Sequence, residues 1–137
     1  MKRIIKGERG QSLVELGISL VILLYLLAGA AEFGVLFFQF VQLRDAAQEG
    51  ALYGSMNPAD TSGITARVQG SSTSPIDLTT ITPAITYSGA VCEGNGITVT
   101  LTYNHQIFMP FMAQILGNSF IPLTANVTDT ILRPVCP

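Results

Sequence analysis

The constraint that governs every fold open to this chain is a long apolar run near its start. It extends from Leu13 to Val41 and is broken only by Glu15, Glu32, Gln39 and a few small polar residues. Its cleanest part, Leu16 to Ala31, carries Ile18, Leu20, Val21, Ile22, Leu23, Leu24, Leu26 and Leu27. A bilayer core needs about 20 residues of helix; Leu13 to Ala31 supplies 19, and Phe33 to Phe40 extends them. No proline occurs between Met1 and Asn57, so nothing in that stretch forces a helix to break. One continuous helix from about Gln11 to Tyr53 would be ~65 Å long, about twice the bilayer core. Its second half must then stand outside the membrane.

Charge is distributed to match. Lys2, Arg3, Lys6 and Arg9, four of the seven basic residues, precede the apolar run. Beyond Gln11 only Arg44, Arg67 and Arg133 remain against eight acidic residues, a net charge of −5. The basic cluster fits an N-terminus in the cytoplasm with the remainder outside. No basic stripe follows it that could track a phosphate backbone, which argues against nucleic acid as a partner. Charged residues make up 12% of the chain, about half the usual share, a balance that suits a bilayer-associated protein. The sequence divides into a basic leader over 1–10, a transmembrane and stalk helix over 11–56, and a small extracytoplasmic domain over 57–137.

At the junction of leader and apolar run lies Gly10-Gln11-Ser12-Leu13-Val14-Glu15. A glycine closing a basic leader, with a glutamate five residues on inside a membrane helix, has the form of a prepilin-type processing signal. A carboxylate within such a helix costs roughly 2.5–3.5 kcal/mol unless neutralised or paired. Cleavage after Gly10 would free the amine of Gln11 one helical turn from Glu15. An ammonium there, on the same or a neighbouring subunit, pairs more strongly than in water. The plainer reading of Glu15 is a side chain that reaches the interface. Glu32 poses the same problem deeper in the run, unless the span ends at Ala31. Two rivals remain for the segment: a secretory signal peptide cut near Ala28-Gly29-Ala30, and an uncleaved signal anchor. Against the first, the helical pattern continues into Phe33 to Tyr53.

Arg9-Gly10-Gln11-Ser12-Leu13-Val14-Glu15-Leu16, the apolar span, Ala31-Glu32-Phe33-Gly34 and Ala46-Ala47-Gln48-Glu49-Gly50-Ala51-Leu52-Tyr53 follow in order. Together they resemble the TadE-like family of the bacterial tight-adherence (Tad/Flp) pilus system, most strongly over residues 9–54. The resemblance implies a small pseudopilin or minor pilin cut by a prepilin peptidase after Gly10, with Gln11 as the new N-terminus and Glu15 as the fifth mature residue. Leu16 departs from the pattern, since an aromatic is frequent there, and Asp129-Thr130-Ile131-Leu132-Arg133 lacks the family's basic-then-acidic close.

Ala46, Gly50 and Gly54 recur every fourth residue, as do Ala47 and Ala51. Small residues so spaced give a smooth helix face for another backbone. The face suits either other pilin-type helices or the chain's own outer domain. Asn57-Pro58 ends the helix, and Asp60 or Thr61 caps a short one reaching about Gln69. Ser71 to Pro75 reads as a loop. Three alternating segments follow: Ile81, Pro83, Ile85 and Tyr87; Ile97, Val99, Leu101 and Tyr103; Leu123, Ala125, Val127 and Ile131. Period-two alternation predicts half-buried strands, with Glu93-Gly94-Asn95-Gly96 turning the first hairpin and Pro83 on an edge. The expected fold is α+β: a long membrane and stalk helix with a three-stranded antiparallel sheet on its outer half, a reduced pilin-like arrangement. Within 107–117, Phe108, Phe111, Met112 and Ile115 share one helical face, either core or an apolar flap against the membrane or a partner subunit.

Cys92 and Cys136 are the only cysteines, and an oxidising exterior makes their disulfide the default. His105 is the only histidine, so a metal site finds too few ligands. A Cys–His nucleophilic pair lacks an orienting group, and no phosphate-binding glycine loop or Gly-x-Ser-x-Gly occurs. The sequence therefore points away from an enzyme and from cofactors. The resemblance implies a structural part of a pilus, anchored in the bacterial cytoplasmic membrane, with a prepilin peptidase, other pilin-type subunits and the lipid bilayer as partners. The alternatives are a major pilus or secretion-system filament subunit, and an unprocessed signal-anchored binding domain.

Overall fold

The computed structural model describes residues 9–72, 74–109 and 112–136. The leader up to Glu8, Thr73 of the expected loop, and Phe111 of the expected apolar face lie outside the described residues.

Helix α1 runs unbroken from Arg9 to Met56, 48 residues, or ~72 Å at 1.5 Å per residue. It stops where Pro58 restricts Asn57, whose N–H still bonds to the Tyr53 carbonyl at 3.0 Å. Helix α2, Thr61–Gly70, turns back under an N-cap from Asp60. The Asp60 carboxylate accepts from the Ser62 hydroxyl at 2.7 Å and the Gly63 N–H at 2.9 Å. Those bonds, the Ser62 one foremost, and a third from the Tyr53 hydroxyl hold the Asp60 carboxyl below the usual carboxylate range. A short 3₁₀ turn, Leu78–Thr80, leads into β1, Ala84–Tyr87. Strands β2, Gly96–Gln106, and β3, Phe120–Thr130, complete an antiparallel sheet in the order β1-β2-β3, with the short helix α3, Met112–Leu116, between them.

The alternation in the sequence survives as burial. On β2 the odd positions Ile97, Val99, Leu101 and His105 are buried against α1, while Thr102, Asn104 and Gln106 are exposed. Strands β2 and β3 pair in unbroken register from Gly96↔Thr130 to Gln106↔Phe120. Strand β1, at one edge of the sheet, is shorter than the pattern suggested: Ile81 and Pro83 are buried but precede it. The core joins Leu43, Ala46, Ala47 and Ala51 of α1 to Ile64 and Val68 of α2, Ile76, Leu78 and Ile81 of the connection, and Ile97, Val99, Leu101, Ala125 and Ile131. Gln42 clamps the connection, accepting from the Ile76 N–H and donating to its carbonyl, both at 3.0 Å.

The small-residue face of α1 receives the chain's own domain. A Cβ on Gly50 would lie 2.6 Å from Val68 Cγ2, and one on Gly54 would lie 2.5 Å from Ile97 Cδ1. At the far end of the domain the C-terminal tail is tied down three ways. Leu132 N–H bonds to the Ser55 carbonyl at 2.8 Å, Glu93 N–H bonds to the Pro134 carbonyl at 2.7 Å, and Cys92 is bridged to Cys136 with Cα atoms 5.1 Å apart.

Two glycines on α1 should therefore respond oppositely to enlargement. Gly50→Leu forces Val68 and β2 outward and should cost several kcal/mol, since overpacking by even one or two methylenes costs about 1–3. Gly34, with nothing within 4 Å of its added Cβ, should accept leucine without loss. Thermal unfolding of the full chain in detergent checks this, and equal midpoints for the two variants would contradict the packing.

Candidate functional site

Two places on α1 carry polar groups that set them apart from the apolar helix around them. The first is its N-terminal end. Gly10, Gln11 and Glu15 sit in the first turns of α1, all exposed. Gln11 and Glu15 are four apart, so their Cβ atoms stand one above the other, about 5–6 Å apart. The apolar side chains that follow are uncovered: Leu13, Leu16, Ile18, Leu23, Leu26 and Leu27 are each more than half exposed. α1 is long and apolar enough to cross a membrane, and the chain covers none of the most apolar stretch.

The second place was not visible as a site in the sequence. Helix α1 presents Glu32 and Gln39, seven residues and two turns apart, to the end of β2. There His105 is 1% exposed, with Nδ1 2.6 Å from Gln39 Oε1 and Nε2 2.8 Å from Glu32 Oε1. Glu32 Oε1 also accepts the Phe108 N–H at 3.1 Å, and the Phe108 ring meets the imidazole edge-on at 5.9 Å. Two proton arrangements satisfy this set. A charged ring donates to both oxygens; a neutral ring donates from Nε2 to Glu32 while the Gln39 amide, turned over, donates to Nδ1. In both, every buried polar atom has a partner, and among the described residues no buried side-chain polar atom lacks one. The signal was present in retrospect: 105 continues the inward phase of 97, 99 and 101, and 32 and 39 share a helix face.

The remaining expected sites separate. Cys92 lies in the disulfide at the turn beyond β1, at the opposite end of β2 from His105, so the two form no nucleophilic pair. Ala46, Ala47, Gly50, Ala51 and Gly54 are buried within the domain. Among the described residues no three His, Cys, Asp or Glu side chains converge to hold a metal. Phe108 is 73% and Ile115 76% exposed, so neither belongs to the core, and α3 has no buried residue.

The cluster fastens the end of β2 to α1. His105→Ala should destabilise the chain by about 2–4 kcal/mol, through lost packing and two polar groups left unpaired. Glu32→Gln keeps the hydrogen-bonding shape and should cost about 1 kcal/mol or less. Chemical unfolding of the purified full chain measures both, and a His105→Ala loss no larger than that of the exposed Thr102→Ala would contradict a fastening role.

Neither the curated proteins nor the solved structures compared with the chain give a match. Residues 10–52, which hold the Gly10–Glu15 run, the apolar stretch and the small-residue face as far as Ala51, match the family model described as TadE-like protein, the family that the sequence resembles.

Proposed function

We propose that this chain is a membrane-anchored component of the tight-adherence pilus machinery, a pseudopilin or minor pilin whose role is structural. Its leader is removed by a prepilin peptidase after Gly10. The observation that carries this reading is an apolar helix protruding from a closed domain, beginning in the processing signal and lying within the stretch that matches the TadE-like family. A binding domain that merely needs an anchor does not require Glu15 in the first turns of the span.

The fold also redirects where assembly contacts fall. The face carrying Ala46, Ala47, Gly50, Ala51 and Gly54 packs on the chain's own sheet and α2, so neighbouring subunits meet α1 elsewhere. Phe33, Phe37 and Phe38, each at least 60% exposed, lie beyond Ala31 and offer the largest uncovered apolar surface on that part of the helix. In this reading the N-terminus faces the cytoplasm, residues 11–56 form the membrane and stalk helix, and residues 57–137 form the extracytoplasmic domain. The amine freed at Gln11 docks on Glu15 of its own or a neighbouring chain.

Intact-mass analysis of protein purified from its host membranes should show a chain beginning at Gln11. Gly10→Ala should leave the leader in place, and Glu15→Ala should lower piliation by an order of magnitude or more while membrane insertion persists. A retained leader in the unmodified chain, or a cut near Ala30, would overturn the pilin reading in favour of a signal anchor or a signal peptide.

A further inference from the structure

Strand β2 descends α1 toward the membrane span. Ile97 meets α1 at Gly54, Val99 at Gly50, His105 at Gln39 and Glu32, and Met109 at Gly29, where its Cε lies 3.7 Å from the position of an added Cβ. The tip of the β2–β3 connection therefore lies beside the last turn of the apolar run Leu13 to Ala31. Its surface changes character at that level. Higher on the sheet, the outward positions of β2 and β3 are Thr98, Thr100, Thr102, Asn104, Thr124, Asn126 and Thr128. At the tip the exposed side chains are Phe108 at 73%, Ile115 at 76%, Leu116 at 50% and Phe120 at 53%. No Asp, Glu, Lys or Arg occurs between Glu93 and Asp129.

We propose that this tip is a second membrane contact, in which Phe108, Ile115, Leu116 and Phe120 enter the leaflet on the domain's side of the bilayer next to α1. The inference rests on α1 being a membrane span and not on its processing. Continuity decides the occupant: Met109 lies beside Gly29 within the apolar run, so the bilayer that covers Leu26 and Leu27 also reaches the tip. Exposed apolar side chains on an uncharged segment bind through buried area and need no anionic headgroup. Glu32, His105 and Gln39 lie just above and complete one another's hydrogen bonds, so a polar cluster next to the hydrocarbon leaves no group unpaired. The cluster fixes the depth of the tip, and the tip restrains the domain against tilting about α1.

The chain contains no tryptophan, so single tryptophans report unambiguously. Full-length Phe108→Trp, Ile115→Trp, Leu24→Trp and Ala66→Trp proteins would be placed in phosphatidylcholine vesicles containing lipids brominated near the headgroup or near the chain end. Tryptophan at 108 and 115 should be quenched roughly twofold more by the shallow label than by the deep one, as suits residues ~5–10 Å into the headgroup–acyl boundary. Leu24→Trp should prefer the deep label, and Ala66→Trp, on the exposed side of α2, should respond to neither. Iodide quenching of 108 and 115 without lipid quenching would overturn the contact while Leu24→Trp still verifies the span. Failure of Leu24→Trp to respond would remove the span and the contact together. Protection of 108 and 115 that vanishes on diluting protein into lipid would assign the tip to a second copy, and so overturn the proposal.

Discussion

The close seating of β2 on α1 is the contact on which the rest of the domain depends. It exists because Gly50 and Gly54 have no side chains, so that Val68, Ile64 and Ile97 occupy the space where a Cβ would stand. Backbone approach of this kind fixes both the distance and the phase of the strand. Once Ile97 and Val99 are seated, the period of two brings Leu101 and His105 onto the same face. The rise of about 3.3 Å per strand residue then carries the chain down α1 to the level of Gln39 and Glu32. A larger residue at position 50 would lift the strand and misplace everything beyond it.

That geometry explains how a long apolar helix tolerates Glu32. Alone in an apolar run, the carboxylate would be a liability of several kcal/mol. In the folded chain it accepts from His105 and Phe108 and is 15% exposed. The two glutamates of α1 are thus unlike. Glu32 is satisfied within its own chain and belongs to the architecture. Glu15 stands exposed in the first turns of the helix, with no partner side chain among the described residues.

Much of this was legible from the residues alone. Apolar continuity without proline wrote α1, alternation at 97–103 and 123–127 wrote the two long strands, and Asp60 or Thr61 marked the start of α2, where the fold uses Asp60 as the cap. Pro83, which cannot donate to a ladder, signalled an edge position; the strand beside it is at an edge, though it begins only at Ala84. Two kinds of information were not legible. The small residues at 46–54 were compatible with any backbone neighbour, and periodicity carries no name for the partner. The polar cluster depends on a contact between residues more than sixty positions apart, which no local pattern encodes. His105 looked solitary only because its partners are on another element.

The sequence by itself determined that this chain has an apolar helix of at least bilayer length, with Gly10 and Glu15 at its start, and a small, disulfide-bearing α+β domain after it. These follow from local rules, hydrophobic length and periodicity, which act over one to a few turns. Only the tertiary structure decided that the domain uses the small-residue face of its own stalk, that Glu32, Gln39 and His105 form one buried cluster, and that the apolar segment after β2 points toward the span. Each of those is set by which surfaces meet when a long strand is laid along a long helix, and the energy of that meeting belongs to pairs of residues distant in the chain.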